Sequence, residues 1–339
     1  MAKLRRTILL IHLAVVTLLV GTLALGVGAV AIPWIEVLGI LRRYLAGGPL
    51  ETAGPHAVII TQWRLPRVIL GAVVGGSLAL AGACFQGLFR NPMADPYIVG
   101  SSAGAALGAV AAMTFRWGWG IWGLGPVPVF AFLGALLSVS TVYLLARRGG
   151  RIAVVPLLLA GVAVSFFLSS IVSFLMIWNT RQLKPVVSWL MGGLGAADWA
   201  RVKAATGYGV VGAVVLLWHA RDLDALALGE EEAAHLGVDV ERTKRLLLLA
   251  GSLMTAAAVA TSGLIGFVGL MVPHLVRLVV GPGHRLLLPA SAMAGASMLM
   301  AADALARRVL VPAELPVGVV TSFLGGPFFI YLLTRRGWR

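Results

Sequence analysis

Long apolar stretches recur along the whole chain, and no other feature constrains the fold as strongly. A helix of about 20 apolar residues crosses the roughly 30 Å hydrocarbon layer of a bilayer. Within that layer only helices and closed barrels satisfy their own backbone hydrogen bonds. Runs bounded by charges or by Pro/Gly clusters give ten candidate spans, at about 7–31, 66–89, 97–115, 121–146, 152–177, 199–219, 244–262, 264–280, 286–306 and 316–334. Composition excludes a soluble globule: 59% of the 339 residues are hydrophobic and only 12% are charged, against about 45–50% and 25% in soluble domains. Mean hydropathy is +0.95. The fold class expected is therefore an all-α polytopic membrane protein of ten transmembrane helices.

The stretch Met1–Ala31 imitates a secretory signal, with Lys3, Arg5 and Arg6 ahead of an apolar run and small residues Gly28-Ala29-Val30-Ala31 at its end. The run is too long for a signal-peptide core and reads as a retained first span. The single cysteine, Cys84, lies inside an apolar run, so no intrachain disulfide forms.

The formal charge of +14 comes from 27 Lys and Arg against 13 Asp and Glu. In a soluble protein it would suggest nucleic acid, but here the cations sit at the ends of apolar runs, where they orient helices. With the amino terminus inside, 16 of the 27 fall on the cytoplasmic side, which places both termini in the cytoplasm. The outer face then keeps more arginine than orientation requires, notably Arg64, Arg67, Arg307 and Arg308.

Glycine is abundant, 42 residues, and inside apolar runs it permits close helix approach. Gly100, Gly104 and Gly108 recur every fourth residue along one face, as do Gly71 and Gly75. Pro273, in the middle of the eighth run, is expected to kink or shorten that helix. Four spans at 66–177 and four at 244–334 enter the membrane from opposite sides, so a duplication would be an inverted repeat.

Reactive groups are sparse. The sequence holds no Gly-x-x-x-x-Gly-Lys-Ser/Thr loop for ATP, and His12, His56, His219, His235, His274 and His284 never take metal-ligand spacing, so neither a cofactor, a metal site nor a catalytic site is expected. Asp303 is the one acid set well inside an apolar stretch. A proton relay is one reading; an ion pair with Arg307 and Arg308, four and five residues on, is favoured. Energy for transport would then come from elsewhere. The polar segment Arg221–Lys244 reads as two short helices punctuated by Gly229 and Gly237, with Glu230, Glu231 and Glu232 at a helix start. It is either a solvated connector or a docking surface for a soluble partner.

Several long motifs resemble one family. They are Arg64-Leu65-Pro66-Arg67, the run from Gly82 through Gln86-Gly87 and Arg90-Asn91-Pro92-Met93-Ala94-Asp95-Pro96, and Gly100-Ser101-Ser102-Ala103-Gly104. The second half adds Gly263-Leu264-Ile265-Gly266-Phe267-Val268-Gly269 with Pro273-His274, then Ala302-Asp303-Ala304-Leu305-Ala306-Arg307 and Glu314-Leu315-Pro316-Val317-Gly318. Over residues 7 to 336 the chain is similar to the FecCD/BtuC-type permeases of type II ATP-binding-cassette importers for iron-siderophores, haem and cobalamin.

That resemblance implies a single permease domain over 1–339, with spans 2–5 and 7–10 as the inverted repeat and a cytoplasmic coupling segment at 221–244. It implies as partners two cytoplasmic ATPase subunits, an extracytoplasmic substrate-binding protein and a second permease subunit, in a bacterial or archaeal cell membrane. Leu228, Gly229, Glu230, Glu231, Ala233, Ala234, Leu236 and Gly237 match the coupling helices that seat on the ATPase. Arg64, Arg67 and Arg307 match arginines that pair with glutamates of the binding protein. Asn91, Pro92 and Met93, with Val154 and Val155, fall at two cytoplasmic constrictions. The family often has small polar residues at the second constriction, so valines imply a drier gate. Phe166, Phe167 and Trp178 either line a path for a flat macrocycle or serve as packing and interface anchors. An ion-coupled secondary carrier with inverted repeats is the alternative, weakened by the scarcity of intramembrane carboxylates.

Overall fold

The computed structural model describes residues 2–28, 30–47, 54–148 and 151–334. Its helices are α1 (Ala2–Gly26), α2 (Trp34–Leu45), α3 (Gly54–Val58), α4 (Leu65–Leu88), α5 (Ser101–Thr114), α6 (Pro126–Ala146), α7 (Val154–Trp178) and α8 (Leu183–Leu190). The second half adds α9 (Trp199–Trp218), α10 (Ala220–Leu228), α11 (Glu230–His235), α12 (Val240–Ser262), α13 (Val268–Val280), α14 (His284–Val309) and α15 (Val317–Thr334). Among the described residues the only strands are two-residue partners, Arg147–Arg148 and Arg151–Ile152. Ten apolar helices coincide with the ten spans read from the sequence. Seven are long enough to cross a membrane, and the segments Ser101–Thr114, Val268–Val280 and Val317–Leu332 are shorter.

The second span departs most from expectation. It runs from Gly54 to Leu88, because α3 continues through a π-helical stretch, Ile59–Arg64, directly into α4. The polar residues between 54 and 65 concealed that continuation. The amphipathic α2 and α8 lie between spans and leave no long apolar run to find.

Starts of helices follow from local chemistry. Pro126 opens α6, where a missing N–H costs nothing. Asp198 and Asp239 cap α9 and α12, accepting N–H bonds from Arg201 (2.8 Å) and Arg242 (3.1 Å). The eighth span is short, but not by a break at Pro273. The helix passes through Pro273 and is shortened upstream, where 263–267 stay non-helical.

The two halves exchange partners in one pattern. The central helices α4 and α12 pack on each other, α4 packs on α13 and α14, and α12 packs on α5 and α6. The short helices α5 and α13 occupy corresponding places, and each is entered through a left-handed residue, Gly100 (φ 83°) and Phe267 (φ 67°). The irregular segments before them satisfy each other's backbone. Tyr97 Oη donates to the Ile265 carbonyl (2.8 Å) and the Ile265 N–H returns to Tyr97 Oη (3.3 Å); between the helices themselves, Gln86 Nε2 on α4 donates to the Leu270 carbonyl in the first turn of α13 (3.1 Å). Non-helical backbone near membrane depth is tolerated when protein receives its polar groups in this way.

Glycine sets the distances between helices. A Cβ on Gly75 would lie 2.3 Å from the Gly295 carbonyl oxygen, and one on Gly295 2.4 Å from that of Gly75, so α4 and α14 touch backbone to backbone. Gly104 and Gly134 join α5 to α6 with the same reciprocity, at 2.3 and 2.2 Å. The four-residue glycine spacing read from the sequence marks these contacts.

Candidate functional site

Long-range contacts within the chain sort the loops onto two ends of the bundle. One end holds an arginine cluster built from α1, α4, α14 and the 310–316 loop. Arg67 grips Asp303 with Nε at 3.0 and 3.1 Å and Nη2 at 2.9 Å, and reaches Glu314 with Nη1 at 2.8 Å. Arg307, one helical turn beyond Asp303, adds a 3.0 Å contact to the same carboxylate and donates to the carbonyls of Val27 (2.6 Å) and Ala24 (2.9 Å). Arg64 donates to the carbonyls of Leu25 (2.8 Å) and Val30.

Arg64, Asp303 and Arg307 are buried, whereas Arg308 is exposed. The Asp303–Arg307 pair favoured from the sequence is therefore present, while Arg308 takes no part in it. The larger partner, Arg67, was invisible because it lies 236 positions away. The structure brings the three candidate docking arginines together at one end, and all three are already satisfied within the chain.

At the other end, the polar segment forms α10, a turn at Gly229 (φ 148°) and α11. Glu230, Glu231 and Glu232 occupy the first turn of α11, the place where the helix dipole favours negative charge. Leu228, Glu230, Glu231, Ala234, Leu236 and Gly237 are exposed, while Gly229 and Ala233 are buried beneath them and shape the segment.

Two clasps that sequence reasoning missed tie this segment to the spans. Lys244, only 3% exposed, sets its Nζ against Glu230 (2.9 and 3.0 Å), Glu241 (2.8 Å) and the Ile152 carbonyl (2.7 Å), and the Ile152 N–H donates to Glu241 Oε2 (2.9 Å). A buried ammonium needs such compensation. This clasp joins α11 and α12 to Ile152, two residues before Val154. On the other side, Asp224 Oδ1 on α10 accepts from both the backbone N–H and Nδ1 of His284, each at 2.7 Å, at the start of α14. The spacing of Glu241 and Lys244 signalled a local pair; the Ile152 and Asp224 contacts had no sequence signal.

The gate candidates sit at this same end. Asn91 forms a tight turn, its side-chain oxygen accepting the Met93 N–H (2.9 Å), and Pro92 is exposed. Val155 faces outward, 66% exposed, while Val154 packs on the core. Asp95 follows in the same loop. Burial pushes its carboxyl up to about 6 although the Tyr97 N–H bond at 2.7 Å pulls the other way.

Along α7, Phe166, Phe167 and Trp178 are 73, 67 and 73% exposed, and Trp178 meets Phe174 edge-on with ring centres 5.4 Å apart. Ser169, Ser170 and Ser173 are exposed on the same helix. No group of three or more His, Cys, Asp or Glu side chains converges among the described residues.

An all-helical, multi-pass bundle with central helices shared between two halves defines a membrane permease. The chain belongs to the FecCD transport family, whose match covers residues 16–335. It is 50% identical over 315 residues to the cobalamin import system permease protein BtuC of Halobacterium salinarum, covering 93% of this chain and 83% of that one. It is 45% identical over 282 residues to the hemin transport system permease protein HmuU of Yersinia pestis (80% and 82% covered), and 38% identical over 313 residues to the Fe(3+) dicitrate transport system permease protein FecD of Escherichia coli (92% and 94%). Its fold is similar to that of a metal-chelate type ABC transporter solved in an inward-facing conformation, with a TM-score of 0.83 at 29% identity, covering 96% of this chain and 98% of that one.

Proposed function

We propose that this permease conducts a metal chelate of the iron-siderophore, haem or cobalamin class and is driven by separate ATPase subunits seated on α10–α11. The Lys244 clasp is the observation that carries the reading. A push on the exposed face of α11 acts through Glu230, Lys244 and the Ile152 carbonyl on the first turn of α7, where Val155 faces outward. The Asp224–His284 clasp gives the same segment a second lever on α14. Nucleotide binding in the partner moves the permease by contacting its states unequally, the only way a ligand shifts such an equilibrium.

On this reading the α10–α11 end and both termini are cytoplasmic, and Asn91, Pro92, Met93, Val154 and Val155 form constrictions that close by excluding water. Two permease copies enclose the path. The exposed serines of α7 support this arrangement: Ser170 and Ser173 donate back to the Phe166 and Ser169 carbonyls (3.0 Å each), and the acceptor capacity left on these oxygens is better met by a wet path than by lipid.

The arginine end then receives a substrate-binding protein. Its carboxylates reach Arg67 by displacing Glu314, whose side chain is 45% exposed, and reach Arg64 and Arg307 by displacing backbone carbonyls. Glu314→Gln is therefore expected to tighten docking at low salt, the opposite of what loss of a direct contact would do. Weakened docking would count against the exchange.

The test of the whole reading is reconstitution in vesicles. With a partner carrying a Walker motif, uptake follows vanadate-sensitive ATP hydrolysis. Uphill uptake by this chain alone on a proton gradient overturns the proposal.

A further inference from the structure

A lateral groove of about 690 Å³ opens between α6 and α9 at the arginine end, floored by α12 and bordered by the 121–124 turn. Its lining is almost wholly apolar. Small residues such as Ala204, Gly207, Ala257 and Ala260 line it, and Phe132 and Tyr208, with ring centres 4.8 Å apart, join its two sides. From Ala200 to Val211 it follows α9 for about 16 Å at 1.5 Å per residue. That length is about half of the roughly 30 Å hydrocarbon layer, the depth of one leaflet.

Water has too few polar partners in such a groove, and an empty one forfeits the dispersion contacts of its lining. The mouth is chemically different. Lys203, exposed and one turn inside α9, lines it beside Trp122, which is 87% exposed. The neighbouring charges cancel, since Arg201 pairs with Asp198 at 3.6 Å. Lys203 has no ion-pair partner among the described residues, and the α9 amino terminus adds partial positive charge. A cation and a tryptophan at the end of a leaflet-deep apolar slot match a phosphate above an acyl chain.

We propose that this groove is a binding site for an anionic glycerophospholipid, one acyl chain filling the slot and the phosphate held at Lys203. The proposal depends on membrane embedding alone and stands apart from the transport reading.

Native mass spectrometry of protein released from nanodiscs of mixed phosphatidylglycerol and phosphatidylcholine tests it. Wild type retains phosphatidylglycerol preferentially. Lys203→Gln lowers that preference about fivefold, the scale of one lysine's attraction to an anionic surface. Gly207→Leu, which fills the slot, removes both lipids. Arg42→Gln, altering an exposed cation on α2, leaves the preference unchanged and controls for general charge effects. Equal retention of the two lipids by wild type, or an unchanged preference in Lys203→Gln with an unaltered melting temperature, overturns the proposal. Dissociation of a permease dimer by Gly207→Leu without loss of lipid also overturns it and makes the groove a contact between copies.

Discussion

Asp303 holds two guanidinium groups in place, and its worth follows from their burial. Removing one partner of a buried ionic cluster leaves the rest uncompensated, at a cost of about 3–5 kcal/mol. Asp303→Ala is therefore expected to lower the melting temperature in detergent sharply, whereas Glu314→Gln, at the exposed edge, costs under about 1 kcal/mol. Equal losses would show that Arg67 depends on Glu314 as much as on Asp303. Asp95 titrates in the opposite sense from a paired carboxylate. Its pKa is raised from 3.8 to about 6 in the fold, so the folded state binds the extra proton between those values. Stability contributed by this group is greatest below pH 4 and is lost as pH rises through 6. Asp95→Asn keeps an oxygen for the Tyr97 N–H and should flatten the melting profile between pH 4 and 6; an unchanged slope would place the titration elsewhere. The sequence disclosed the Asp303–Arg307 pair because helical spacing is local. It did not disclose Arg67 or Lys244 as cluster centres, since their partners are brought close only by tertiary packing.

Helices were legible for a related reason: a lipid-spanning segment must be continuously apolar, so its length is written in the chain. What the pattern did not mark were the short amphipathic α2 and α8, the five-residue α3, and the start of α13, fixed by a left-handed Phe267 instead of by Pro273. Glycine spacing did predict where helices touch. Gly82→Ala would set a Cβ 1.8 Å from the Gly269 carbonyl oxygen and force α4 from α13, so folded yield should collapse. Gly207→Ala meets nothing within 4 Å and should be neutral or stabilising by up to about 1 kcal/mol. Comparable yields from the two variants would mean that the backbone contact is not tight. The clasp between α11 and α7 predicts a different phenotype. Lys244→Met removes the ammonium that links Glu230 to Ile152, so the reconstituted complex should keep ATP hydrolysis while uptake per ATP falls several-fold. Parallel loss of both activities would indicate a folding role only.

Hydrophobicity does not separate the surface that faces lipid from the one that faces the proposed path, because both are apolar. Polar atoms do. The lipid-facing candidate α9 exposes Val210, Val211 and Val214, whereas α7 exposes Ser169, Ser170 and Ser173 among its phenylalanines. Thiols react as thiolates, which need water, and the native Cys84 is buried and so supplies little background. In the assembled transporter, Ser169→Cys and Ser173→Cys should react with a membrane-impermeant maleimide, and, on the proposed coupling of α11 to α7, nucleotide in the ATPase should change the rate. Val210→Cys should stay unlabelled in either state. Labelling of Val210→Cys with protection of both serine positions would invert the assignment, placing α7 against lipid and the path beside α9. Labelling at the serines that ignores nucleotide would leave the path where it is and remove the coupling between α11 and α7.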